Sequence, residues 1–214
     1  LISGAAWLLA GRTIRPIQTT WDKQQEFVAN ASHELRAPLT LIRAGVEIAS
    51  RTAHDPKQKQ LLEDVLRDSD HMNKLIEELL LLSRLDSRAQ QMDIQAIALV
   101  PLLQPIVRQL ELSASECQVR FSVKLQDVTI KADPQRVEQL ILILFDNALQ
   151  HTPAGGEVTI TTSRDNENGY IHIMDTGSGI PEEQLDRVFE RFYRLKQGKR
   201  KGSGLGLSIA KALV

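Results

Sequence analysis

The sequence predicts an α+β protein in two parts. An antiparallel helical hairpin, dimerising into a four-helix bundle, is followed by a mixed domain with helices on one face of a sheet. Three observations carry this expectation. Between Thr19 and Asp86, apolar residues recur at steps of three and four, the period of a helix with one apolar stripe. After Ser87 the texture changes to short alternating runs, of which QVRFSVKL, Gln118 to Leu125, is the strictest. Asp133-Pro134 then opens a strongly apolar run through Gln150, with the aspartate as helix cap and the proline at the first helical position.

The bulk numbers set outer limits. The 214 residues suffice for two small domains. A charged fraction of 25% and a hydrophobic fraction of 42% fit a globular protein. The net charge of -1 gives no electrostatic reason to expect a nucleic-acid partner. The single cysteine, Cys117, excludes an internal disulfide and fits a reducing compartment.

The N-terminal LISGAAWLLAG, Leu1 to Gly11, is apolar and is followed by Arg12 and Arg15. It is too short to cross a bilayer, which takes about twenty residues, and it lacks the marks of a signal peptide. Residues 1–17 therefore read as the end of a transmembrane helix and a juxtamembrane segment. The arginines put the remainder of the chain on the cytoplasmic side of the inner membrane.

The first helix of the hairpin is expected over Thr19 to Arg51, with Val28, Ala31, Leu35, Leu39, Ile42, Val46 and Ala49 as its seam. Ala53-His54-Asp55-Pro56 breaks it, and a second helix runs from about Lys57 to Asp86 with Leu61, Val65, Met72, Ile76 and Leu79 on one stripe. One hairpin cannot bury both stripes, so a second copy is expected to cover them. In the following domain, Ile94 to Val100, Gln118 to Leu125 and Val128 to Lys131 read as strands. A helix falls between the first two, from about Leu102 to Leu112. Glu157 to Ser163 and Tyr170 to Met174 make a hairpin across the polar turn Asp165 to Gly169.

The stretch NASHELRAPL, residues 30 to 39, sets His33 beside Glu34 and then places Pro38 in the same helix. Ala31 and Leu35 each stand two residues from His33, so at ~100° per residue the imidazole faces away from the apolar seam. Pro38 has no N–H for the Glu34 carbonyl, which bends the helix just past the pair. A zinc-binding His-Glu-x-x-His fails because its fifth position is Ala37. A neutral imidazole is a nucleophile near neutral pH, and a neighbouring carboxylate can take the proton from its second nitrogen. Covalent chemistry on His33 then requires an electrophile from elsewhere in the chain.

The second domain has the residues to hold one. Asp146-Asn147-Ala148 offers an amide oxygen and a carboxylate, suited to a hard cation. Asp175-Thr176-Gly177-Ser178-Gly179-Ile180 places an acceptor before two glycines that let backbone approach a ligand. Gly202-Ser203-Gly204-Leu205-Gly206-Leu207 is a second glycine-rich loop opening a helix, whose first N–H groups suit phosphate. It is neither a Walker A loop nor a dinucleotide fingerprint.

In this order the segments resemble a bacterial sensor histidine kinase of a two-component system. SHELRAPL is similar to the H box, DNALQHTP to the N box, DTGSGI to the G1 box, FERFYR to the F box and GSGLGLS to the G2 box. The likeness runs from about Asp22 to Val214. It implies a dimerisation and phosphotransfer hairpin over residues 18–90. Residues 91–214 would be a catalytic α/β-sandwich of the GHKL type, truncated at its C-terminus because the chain stops in the helix after the G2 box.

The resemblance implies that His33 accepts phosphate from ATP with Glu34 as general base, and that the phosphate passes to the receiver domain of a response regulator. Asn147 would bind Mg²⁺, with Gln150 and His151 beside it at the nucleotide. Asp175 would accept from the adenine amino group, with Gly177, Gly179 and Ile180 shaping that pocket. Arg194, Gly202, Gly204, Leu205 and Gly206 would meet the phosphate end, while Phe189, Phe192 and Tyr193 anchor the lid by packing.

Three positions depart from the family pattern. Ile143 and Gln150 stand where polar and basic residues are common, which removes polar help near metal and phosphate. Ala37 stands where a Thr or Asn usually positions water for regulator dephosphorylation, so phosphatase activity is expected to be weak. A catalytically degenerate kinase serving as a dimeric scaffold, or a GHKL ATPase without autophosphorylation, are the alternatives.

Overall fold

A computed structural model describes residues 30–32, 34–86, 92–166, 168–195 and 202–214. The chain divides into two units, Leu1–Gln90 and Gln91–Val214.

The first unit is a helical hairpin. Helix α1 covers residues 30–52, position 33 lying outside the described residues, and runs on through Pro38. Helix α2 spans Pro56–Asp86. Asp55 starts it: its side chain accepts the Lys57 amide at 3.0 Å and its carbonyl the Lys59 amide at 3.0 Å, while Pro56 takes a position whose N–H needs no partner. Leu39 of α1 is buried against Ile76 and Leu80 of α2, and Arg43 of α1 pairs with Asp70 of α2. Part of the seam stays in water: Leu35 is 49% exposed, Ile42 50% and Met72 48%, while Ala31, Val46, Ala49 and Leu79 are half-buried. Among the described residues no helix is long and apolar enough to cross a membrane. The segment 1–17 and the start of the first helix lie outside those residues.

The second unit runs β1 Gln95–Ala98, α3 Leu99–Glu116, β2 Arg120–Lys124, β3 Thr129–Ala132, α4 Pro134–His151, β4 Glu157–Arg164, β5 Gly169–Asp175 and α5 Gly206–Leu213. Two short 3₁₀ turns, Glu182–Gln184 and Arg187–Phe189, precede α5. Strands β1 and β3 pair antiparallel as a two-stranded ribbon, and the main sheet has the order β2-β4-β5. In that sheet β2 lies parallel to β4, with β3 and α4 forming the connection a parallel pair requires. Strands β4 and β5 form the expected antiparallel hairpin. At its turn the Tyr170 hydroxyl donates to Asp165 at 2.6 Å, which pushes the phenol pKa up.

The core lies between the helices and the main sheet. Leu99, Leu103, Ile106, Leu110 and Ala114 of α3 meet Val137, Ile141, Phe145, Ala148 and Leu149 of α4, over Val158 and Ile160 of β4. Phe121 packs edge-on to Phe145 with centroids 5.0 Å apart. Asp133 caps α4 as expected, accepting the Gln135 amide at 3.0 Å and the Arg136 amide at 3.4 Å.

The boundary between β1 and α3 differs from the sequence reading. The strand expected over Ile94 to Val100 ends at Ala98, and α3 starts at Leu99 and continues to Glu116. Leu99 and Leu103 are buried one turn apart, so the core takes them in helical register. Pro101 is tolerated because the first turn has no intrahelical partner for its missing N–H.

Candidate functional site

Helix α4, the end of β5 and the segment before α5 enclose a cleft of about 90 Å³. Ligand pockets usually measure ~300–1,000 Å³, so this one admits a flat ring rather than a whole nucleotide. Asn147, His151, Asp175, Gly179 and Ile180, taken from two separate motifs, all line it. Asn147 and His151 stand four residues apart on α4 and so share a face.

Asp175 is the last residue of β5 and is exposed. The Gly177 amide donates to its Oδ1 at 2.8 Å, which orients the carboxylate. Gly177 is required by close approach: a Cβ there would stand 2.5 Å from the His151 carbonyl oxygen. The turn is thereby pressed onto the C-terminal end of α4. Gly179, at φ +67°, supplies the left-handed backbone that returns the chain past the cleft.

The remaining expected residues are arranged around this cleft without lining it. A Cβ on Gly202 would lie 2.9 Å from Gln150 Oε1, so the second glycine loop rests on the end of α4. Gly206 begins α5, where a Cβ would be 3.5 Å from Ile143. The apolar Ile143 thus faces the start of a packed helix. Arg194 is exposed between two lining residues, Tyr193 and Leu195.

Leu205 does not line the cleft. It is fully buried, and its amide is committed to Ser203 Oγ, to which it donates at 3.0 Å. Its side chain anchors the loop to the core, and Leu207 lines the cleft instead. The aromatic anchors also differ in part from expectation. Phe192 is 61% exposed and Phe189 41%, whereas Val188 is buried and lines the cleft. Tyr193 is held by Gln184, which accepts its hydroxyl.

Val188, Tyr193, Leu195 and Leu207 were missed as lining residues. Leu207 carried a signal, lying two residues past Leu205 in the glycine loop, and Tyr193 carried one as an expected packing anchor. On α1, Glu34 and Ala37 are both exposed. His33 lies outside the described residues, as do residues 196–201 of the basic run after Arg194.

The structure thus comprises a helical hairpin and an α+β unit in which α4 and the end of β5 line a cleft. Comparison with known proteins agrees. Residues 23–88 match the His Kinase A (phospho-acceptor) domain, and residues 132–214 match the histidine kinase-, DNA gyrase B- and HSP90-like ATPase domain. The sensor histidine kinase RppB of Synechocystis sp. is 36% identical over 220 residues, covering 100% of this chain and 48% of the relative. The sensor histidine kinase WalK of Bacillus subtilis is 35% identical over 201 residues, 90% of this chain and 33% of that one. Full-length ShkA, solved in complex with AMPPNP, superposes with a TM-score of 0.71 at 26% identity, over 88% of this chain and 40% of its own. The chain thus spans half or less of the length of these relatives. It belongs to the sensor histidine kinases of two-component systems.

Proposed function

We propose that this chain is the kinase core of a sensor histidine kinase, which phosphorylates its own His33 from ATP and passes the phosphoryl group to an aspartate of a response regulator. Residues 18–90 would form the dimerisation and phosphotransfer hairpin and residues 91–214 the catalytic domain. The observation that supports this most is the meeting of Asn147, His151, Asp175, Gly179 and Ile180 in one cleft.

The cleft residues fit the purine ring of a nucleotide. Gly177 brings backbone to a point where a side chain would collide with α4, and the Gly177 amide fixes Asp175 through one oxygen. The other oxygen can accept from an exocyclic amino group of a purine. Among the described residues no cluster of three His, Cys, Asp or Glu side chains could hold a metal ion. Mg²⁺ usually binds through few protein groups and the substrate's phosphates, and the Asn147 amide oxygen would be the protein ligand. Bound together, ATP and Mg²⁺ supply an electrophilic γ-phosphorus with its charge partly neutralised. Glu34 then takes the proton from one imidazole nitrogen of His33 while the other nitrogen forms the N–P bond and ADP leaves.

The exposed Leu35, Ile42 and Met72 on the hairpin support a homodimer in which a second copy covers the apolar stripes. By likeness to its relatives, the chain works at the inner membrane with this region in the cytoplasm, and Ala37 makes it a weak phosphatase. Incubation with γ-labelled ATP and magnesium tests the reading. Acid-labile, base-stable label on the protein is expected; release of free phosphate with no label on the protein would contradict it.

A further inference from the structure

Gln184 belongs to none of the motifs, yet it holds a residue of the cleft. Tyr193 lines the cleft, and its hydroxyl donates to Oε1 of the half-buried Gln184 in the first 3₁₀ turn. The guanidinium of Arg187 stands over the Tyr193 ring, 4.4 Å from its centroid. Arg187 also lies 3.7 Å from the Glu190 carboxylate, and the Glu190 carbonyl accepts the Tyr193 amide at 3.3 Å. The amide before it, that of Phe192, donates to the Gly204 carbonyl at 2.9 Å. Tip, face and backbone of one aromatic residue are therefore each held by a different group.

From this geometry we infer that Gln184 is a positioning residue for the nucleotide, acting through Tyr193, whose ring it holds as a fixed wall of the cleft. The inference rests on the reading of that cleft as the ATP site. A tyrosine ring has two rotatable bonds, and a ligand that must first immobilise it loses affinity. A ring fixed beforehand spares the ligand that loss, about three- to tenfold for one side chain. Arg187 fixes the ring against lateral motion by a cation–π contact. Gln184 fixes its tip by a hydrogen bond, and no part of Gln184 lines the cleft.

The test compares the full chain with Gln184→Leu, Tyr193→Phe and the double variant, by ATP displacement of a fluorescent ATP analogue and by the KM and kcat of autophosphorylation. Tyr193→Phe keeps the ring and its cation–π contact and removes only the hydroxyl. Each single variant is expected to raise the Kd and KM for ATP about three- to tenfold, with kcat changing less than KM. The double variant is expected to be no worse than the weaker single, because both remove one hydrogen bond. Unchanged Kd and KM in both single variants would overturn the inference, as would fully additive effects. A loss confined to kcat, or lower thermal stability with KM unmoved, would also overturn it, by making the contact a chemical or merely structural one. Absence of ATP binding by the unmodified chain would bring down the reading of the cleft and this inference with it. Normal binding by the unmodified chain with unaltered variants brings down the inference alone.

Discussion

Phe192 donates its backbone amide to the carbonyl of Gly204 at 2.9 Å, and both residues have positive φ, 62° and 72°. This backbone contact ties the segment ahead of residue 196 to the glycine loop that opens α5. A side chain at position 204 would meet backbone, its Cβ only 2.8 Å from the Phe192 carbonyl carbon. Gly155 has a similar φ of +81° but open space around it. Alanine at either position bears the left-handed penalty of about 1–2 kcal/mol; only Gly204→Ala adds a backbone clash. Urea unfolding should show Gly204→Ala destabilised more than Gly155→Ala. Equal midpoints would mean the contact yields without strain.

Asp133 ties the start of α4 to the start of the domain, since its second oxygen accepts the Asp93 amide at 3.1 Å. Desolvation pushes its pKa up, but the amides of Asp93, Arg136 and Gln135 outweigh it and hold the carboxyl below its ordinary value. A depressed folded pKa contributes stability above the unfolded pKa of ~3.9, and that contribution is lost as pH falls through the folded value. Asp133→Ala should therefore cost about 0.5–2 kcal/mol at neutral pH and lose less than the native protein does on acidification below ~4. Asp133→Asn should retain most of the cap and share the flatter acid profile. An unfolding series from neutral to acid pH checks both, and an unaltered acid profile in the two variants would contradict this account.

Much of this was legible in the sequence. Helical steps of three and four located the hairpin, and Asp133-Pro134 located α4, because capping and periodicity act locally. The α3 boundary was not legible: the run from Ile94 to Val100 suits a strand or a buried helix until the core fixes its register. The parallel pairing of β2 with β4 depends on a crossover that no local pattern records. At the site, motif spacing singled out Asn147, His151 and Asp175, which line one cleft. Leu205 is placed by burial, and Val188, Tyr193 and Leu195 reach the cleft through tertiary packing that motif spacing does not record.

Asn147 and Gln150 make a paired test of the metal site. Asn147 lines the cleft, whereas Gln150 stands against Gly202. A glutamine hydrogen bond is worth ~1 kcal/mol, and loss of a metal ligand should weaken binding further. Titration with ATP in the presence and absence of magnesium should show Asn147→Ala losing most of its magnesium-dependent affinity and Gln150→Ala losing about tenfold or less. Equal losses would show that the metal ligand lies elsewhere.

Ala37 is exposed on α1 and carries no group that could hydrogen-bond a water. Threonine there should cost the helix about 0.7 kcal/mol or less and leave the autokinase rate nearly unchanged. Loss of label from purified phospho-regulator should be slow with the native chain and faster with Ala37→Thr. Fast dephosphorylation by the native chain would sink the proposal.

The central claim is that His33 takes the phosphoryl group and serves chemistry rather than packing. Its most direct test is the labelling of His33→Gln by γ-labelled ATP with magnesium, beside its sedimentation behaviour and ATP affinity. The account predicts no label on the variant, an unchanged dimer and ATP bound as tightly as by the native chain. Label at the native level in His33→Gln would contradict it.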